Sequence, residues 1–101
     1  MSAYLLHVTR ELEHCLVQSK TYELQLLVKR EWMSKIISGL NARLPKVLHD
    51  EKAKKEYFKL AEILDRERIQ MRALLNEAAL VIHQTQMLQL AQVAAVRMAA
   101  T

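Results

Sequence analysis

The chain has 101 residues and a mass of 11.7 kDa, which allows one compact domain and leaves no room for a separate catalytic lobe. It contains one glycine and one proline, so the turns and phosphate-cradling loops of most nucleotide and acyl-transfer sites are nearly excluded. Fifteen basic and eleven acidic residues give a net charge of +4, and strong helix formers dominate the composition. We therefore expect an all-α protein in which residues 1–101 form a single helical bundle domain.

The cysteine content and the N-terminal sequence indicate a cytoplasmic protein. Cys15 is the only cysteine, so no disulfide can form within the chain, which suits a reducing compartment. The first residues lack the basic start and long apolar run of a signal peptide. The longest apolar runs, 78–82 and 93–96, are far shorter than the ~20 residues that cross a bilayer, so we expect no membrane insertion.

Apolar residues recur every three or four positions near the N-terminus and predict an amphipathic helix over residues 3–18. Ser19 and Thr21 are then two candidate N-cap residues. They predict a break, followed by a second helix over residues 21–43.

The only proline and the only glycine mark the end of the second helix. Gly39 is a candidate C-cap, and Pro45 disfavours helical geometry at the residue before it, so the helix is expected to end between them. Residues 45–49 are predicted to form a loop. Asp50 is a good N-cap, which predicts a third helix over residues 50–76.

No proline or glycine interrupts the chain from Glu51 to its end. A single helix of that length would extend about 76 Å, whereas a compact chain of this size has a radius of gyration of about 13 Å. The helix must therefore break, project as an arm or pack against a second copy. We expect a break near 76–79 or 83–86 and a fourth helix over residues 78–98, which gives an antiparallel bundle of three to four helices with a long third helix.

Charge falls sharply along the second half of the chain. Residues 50–77 are charged at about every second position, whereas from Ala78 onward Arg97 carries the only formal charge. This Met- and Ala-rich surface is expected either to be buried inside the bundle or to meet a second copy or another partner. The residues expected to bind a partner are Met71, Leu74, Leu75, Ala78, Val81 and Leu88. The residues expected to form a segment that masks this surface are Leu90, Val93, Val96 and Met98.

The sequence offers little chemistry for catalysis or metal binding. His7, Glu11 and His14 have a spacing seen in bundle di-metal sites, but they flank the apolar stripe and are expected to form a solvated polar face. Cys15 lies on that stripe and is expected to pack as a small apolar residue. No strained nucleophile turn occurs. We predict neither catalytic residues nor a cofactor or metal.

One alternative enzyme class is the helical chorismate mutase type, in which basic side chains project into a small bundle. Residues available for such a role are Arg10, Arg30, Lys35, Arg66 and Gln84, although isolated arginines on helices are usually surface groups.

A lysine cluster near the third helix raises the question of nucleic-acid binding. The cluster consists of Lys46, Lys52, Lys54, Lys55 and Lys59, close to Tyr57 and Phe58. Acidic residues interleave these lysines, so a paired, solvated helix face is expected rather than direct nucleic-acid binding.

The sequence resembles the FliT-type flagellar export chaperones. Residues 60–75, which contain an Ile-Leu-x-x-Glu step at Ile63 to Glu67 followed by a hydrophobic and basic run, look like the long third helix of that family. Residues 19–40 are similar to its second helix, and residues 90–100 are similar to its closing helix.

This resemblance implies a non-catalytic cytoplasmic chaperone. The family binds the C-terminal helical region of the filament cap protein and delivers it to the export ATPase of the flagellar type III secretion apparatus. Members also bind a flagellar transcriptional regulator, with the last helix masking part of the binding surface. A self-associating helical structural or regulatory protein, such as a homodimer, is the alternative.

Overall fold

The computed structural model describes residues 2–100, which form two α-helices joined by a short connection. Helix α1 spans Ala3–Arg43, a 3-10 turn spans Leu44–Lys46, and helix α2 spans Glu51–Ala100. No strand occurs between residues 2 and 100, which confirms the all-α class. The prediction of a bundle of three to four helices with a long third helix is wrong, because residues 2–100 form two α-helices.

Helix α1 does not break at Ser19 to Thr21, so the predicted helices 3–18 and 21–43 are one helix. The hydroxyl of Thr21 donates a hydrogen bond to the carbonyl of Val17 at 3.1 Å, one turn earlier in the same helix. A hydroxyl bonded in this way is engaged with the preceding turn and does not cap a new helix. Ser19 is half-buried.

Helix α2 is also continuous through both positions where a break was predicted, so helices 50–76 and 78–98 are one helix. The hydroxyl of Thr85 donates to the carbonyl of Val81 at 2.8 Å, again within the helix. The surrounding Ala, Leu and Gln residues are strong helix formers, and nothing in this stretch removes a backbone donor.

The connection between the helices follows the prediction in most respects. Helix α1 ends just before Pro45, and the carboxylate of Asp50 caps α2 by accepting hydrogen bonds from the backbone N–H groups of Lys52 (2.9 Å) and Ala53 (3.4 Å). Gly39 does not cap α1, because it lies within the helix and has no positive φ angle.

The helices contribute to two compact units. The terminal unit contains the chain up to Leu24 and from Leu75 onward, and the turn unit contains Gln25–Leu74. Each unit is formed by one segment of α1 and one segment of α2. Each helical segment therefore packs one face on the other segment and leaves its opposite face exposed.

In the terminal unit the two segments run antiparallel. Thr9 is hydrogen-bonded to Gln92 at 3.4 Å, and Tyr22 lies beside Glu77, so rising residue numbers on α1 meet falling residue numbers on α2. Together with the half-buried Leu88 and Gln92, the buried residues recur at alternating steps of three and four, which is the heptad spacing of helices that pack as coiled coils. These buried residues are Val8, Leu12, Cys15, Ala78, Val81, Thr85 and Ala95.

The turn unit has a smaller apolar core and polar pairs between its helices. Its buried residues are Ile36, Ala53 and Leu64. Beside them, Arg43 Nε donates to Glu56 Oε2 at 2.9 Å. Farther from the turn, Lys29 pairs with Glu67.

Candidate partner-binding surface

The two segments of the terminal unit form a layer one helix thick, which has two broad sides. Val81 and Cys15 each complete a three-residue step of the buried spacing on their helix. In an antiparallel helix pair, the residue directly after a buried position lies toward one side of the layer, and this is the same side on both helices. The residue directly before a buried position lies toward the other side. The sequence therefore assigns each exposed residue of this unit to one side.

The first side carries large exposed apolar residues on both helices, and we call it the apolar face. Leu16 and Ile82 directly follow Cys15 and Val81, and their exposed fractions are 48% and 51%. The other large apolar residues on this side are also at least 40% exposed. The apolar face consists of Leu6 and Leu16 from α1 and of Leu75, Ile82, Val93 and Val96 from α2.

The second side carries large apolar side chains on α2 and mostly polar side chains on α1, and we call it the mixed face. Leu80 and Met87 are 66% and 54% exposed. They directly precede Val81 and Leu88, which belong to the seam, the row of buried and half-buried residues along which the two helices pack. The neighbouring row on α1 carries three exposed polar side chains. The mixed face consists of Leu80, Met87 and Ala94 from α2 and of His7, Glu11 and His14 from α1.

The residues predicted to bind a partner lie mostly between the paired helices. Ala78 and Val81 are buried, whereas Leu75 is half exposed and belongs to the apolar face. Met71, Leu74 and Leu88 are half-buried. Met71 and Leu74 belong to the turn unit, and the other four residues belong to the terminal unit.

The four residues of the predicted masking segment are exposed on the last turns of α2. They are Leu90 (66%), Val93 (48%), Val96 (51%) and Met98 (77%). The same stretch of helix also carries Ala95, which is buried against α1. Detaching the segment would therefore expose part of the core of the terminal unit.

Sequence reasoning missed Leu80 and Met87 as exposed surface residues. The predicted partner-binding residues Met71, Leu74, Ala78, Val81 and Leu88 already repeat with a period of 3.5 residues, and all five are buried or half-buried in the structure. The prediction identified this stripe but not that α1 covers it. The continuous three- and four-residue spacing along α2 was the sequence signal that distinguishes the residues packed against α1 from the exposed residues.

The polar residues considered for metal binding and catalysis lie on exposed surface. His7, Glu11 and His14 are exposed along α1, and no group of three His, Cys, Asp or Glu residues among positions 2–100 is arranged to hold a metal ion. Cys15 is 4% exposed, which confirms that it packs in the core. Arg10, Arg30, Lys35, Arg66 and Gln84 are all exposed.

The turn unit contains a hydrogen-bonded polar group between its helices. The ammonium group of Lys29 donates to Glu67 Oε2 at 2.7 Å and also to Gln70 Oε1. The side chains of Lys29 and Glu67 are 26% and 15% exposed, so water screens this pair less than an exposed one. These three side chains join α1 to α2 and do not form a ligand site.

The hydroxyl of Tyr22 in the terminal unit donates a hydrogen bond to the carboxylate of Glu77. This bond raises the pKa of Tyr22 above its ordinary value, and partial burial and the negative charge of Glu77 act in the same direction. The neutral phenol is therefore the form that suits this contact.

Among the described residues, no helix has the length and apolar character needed to cross a membrane. No protein family model matches the sequence, and no curated protein and no solved structure shows significant similarity to it.

Proposed function

We propose that this protein is a non-catalytic adapter that binds an amphipathic helix of a partner protein on the mixed face of its terminal unit. The observation that carries the proposal is the α2 segment from Ala78 to Val96, which has no formal charge and keeps large apolar side chains in contact with water. Helices with apolar residues on every side are normally buried on every side.

The chemistry of the mixed face suits a helical client. Leu80 and Met87 offer an apolar row, and methionine adapts its shape to different partner side chains. The adjacent His7, Glu11 and His14 row can meet the polar edge of the same client helix. This is the helix-in-groove mode of recognition, in which an apolar stripe is bound beside a polar border.

The resemblance to FliT-type chaperones supplies a specific form of this proposal. The client is then a helical segment of the flagellar filament cap protein, and the complex forms in the cytoplasm before transfer to the export ATPase, with a flagellar transcriptional regulator as a further partner. This form rests on the sequence likeness of residues 60–75 and 90–100. The four-helix pattern of that family is not the fold of this chain.

The experiment measures binding of the full chain to the helical region of a filament cap protein by isothermal titration calorimetry. We expect Met87→Glu to weaken binding at least tenfold, because it places a charge in the apolar row. Ile82→Glu, which has nearly the same exposure but lies on the other side, is the matched control and should bind as the unmodified chain does. Equal binding by Met87→Glu and the unmodified chain would refute the assignment to the mixed face, and no binding to any cap protein would refute the flagellar form.

A further inference from the structure

The apolar face of the terminal unit differs from the mixed face because both of its helices contribute exposed leucine, isoleucine or valine side chains. Leu6 and Leu16 on α1 border the same side of the layer as Ile82 and Val96 on α2. A single client helix would fill only the groove between them. Covering both rows requires an occupant that is itself two helices wide.

We infer that the apolar face is covered by the apolar face of a second copy of this chain. Two such layers stacked on each other make a four-helix arrangement, which is a stable way to bury helices that are apolar on more than one side. Among residues 2–24 and 75–100 no large side chain is fully buried, which is the expected property of half of such an arrangement.

The size of the face fits a stable dimer. The terminal unit contributes about 22 residues of α1, so the layer is about 33 Å long, and two helices side by side are about 20 Å wide. This gives about 650 Å² per copy and about 1,300 Å² for the pair, within the range of about 1,200–2,000 Å² for stable specific interfaces.

The charge pattern also fits a second copy. A symmetric pair brings each face against itself, so any uniform charge on it would be repelled. The α2 rows of the face carry no charge from Ala78 to Val96. On α1 the charged residues of this side are Glu13, Lys20 and Glu23. Lys20 and Glu23 are joined by an ion pair at 3.3 Å, so the face carries no uniform charge. The inference does not depend on the identity of any client.

The test measures the mass of the full chain by sedimentation equilibrium over a range of concentrations. We expect the unmodified chain to dimerise, and we expect Ile82→Glu and Leu16→Glu to raise the dimer dissociation constant at least tenfold. Met87→Glu should dimerise as the unmodified chain does, because it lies on the mixed face. A monomeric unmodified chain at high micromolar concentration, or equal loss of dimer in Met87→Glu, would overturn the inference.

A second measurement avoids adding a buried charge. In a Cys15→Ser background, Gln89→Cys places a thiol on the apolar side, because it directly follows Leu88, and Gln84→Cys places one on the other side, because it directly precedes Thr85. The thiol at position 89 should react with maleimide more slowly as protein concentration rises, whereas the thiol at position 84 should react at a constant rate. Identical, concentration-independent rates at both positions would contradict the dimer.

Discussion

The terminal and turn units are built from the same two helices but keep them paired by different means. Between residues 2 and 100, the ion pairs that join α1 to α2, Lys29 with Glu67 and Arg43 with Glu56, both lie in the turn unit. The terminal unit instead buries mainly apolar residues. The outer surface follows the same division, since α2 is densely charged before Ala78 and almost uncharged after it.

This difference indicates different roles for the two units. A seam with charged pairs fixes one register, because any slip leaves a partly buried charge without its partner. A segment with apolar residues on several sides leaves surface that favours association. The turn unit is therefore suited to set the alignment of the helices, and the terminal unit is suited to bind other chains.

The largest expected effect comes from the apolar core. Leu12→Ala in the terminal unit and Leu64→Ala in the turn unit should each lower the free energy of unfolding by about 2 kcal/mol, the low end for buried leucine because a two-helix seam can relax. The two leucines are similarly buried, at 7% and 6% exposure. Urea unfolding followed by circular dichroism measures both.

The exposed Val17→Ala is the control for these core variants and should change stability by less than about 0.5 kcal/mol. A cost for Val17→Ala as large as that of Leu12→Ala would show that the outer side of α1 is covered. A much smaller cost for Leu64→Ala than for Leu12→Ala would show that the apolar core contributes unequally to the two units.

A smaller effect is expected from the ion pair of the turn unit. Lys29→Met should destabilise the protein by about 1–2 kcal/mol, because Glu67 and Gln70 lose their donor in a partly buried site. The double variant Lys29→Met with Glu67→Leu should recover most of this loss, since no unpaired charge remains. Thermal or urea unfolding of both variants measures the difference.

Lys20→Met is the matched control for the ion pair, because Lys20 and Glu23 form an exposed pair on one helix. Its cost should be below about 0.5 kcal/mol. If the double variant is no more stable than Lys29→Met alone, the cost does not come from an unpaired carboxylate and the alignment role of this pair is refuted.

The sequence predicted the helical class and the turn, but not the number of helices. Pro45 and Asp50 act locally, through a fixed φ angle and a capping carboxylate, so their effects could be read directly. The hydroxyls of Ser19 and Thr21 can either cap a new helix or bond to a carbonyl of the preceding turn. The packing of α1 against α2 decides which of these occurs. Propensity alone could not resolve that choice.

The exposed apolar residues of α2 were predicted only in part for a related reason. The loss of charge after Ala78 located the unusual segment correctly on α2. Which of its sides is exposed depends on the partner helix, since Ala78 and Val81 face α1 whereas Leu80 and Ile82 do not. An apolar stripe on one helix does not reveal whether a second helix of the same chain covers it. Residues that pack against α1 were therefore predicted to bind a partner.

The smallest expected effect concerns the contact between Tyr22 and Glu77 in the terminal unit. Tyr22 donates to Glu77, and this bond, with partial burial and the negative charge of Glu77, raises the pKa of the phenol in the folded chain. The unfolded chain therefore releases this proton first as the pH increases. The stabilisation is fully present below the ordinary tyrosine pKa of about 10 and is lost as the pH rises through the folded pKa.

Urea unfolding of the unmodified chain and of Tyr22→Phe, measured from about pH 8 to about pH 11, tests this contact. The difference in stability between the two should shrink with rising pH, because lysine deprotonation affects both chains alike and cancels. Glu77→Gln removes the negative charge but keeps an acceptor, so it should lower the pKa of Tyr22 in an ultraviolet absorbance titration that uses Tyr22→Phe as the blank. A stability difference that stays constant with pH, together with an unchanged titration in Glu77→Gln, would show that the contact between Tyr22 and Glu77 does not stabilise the terminal unit.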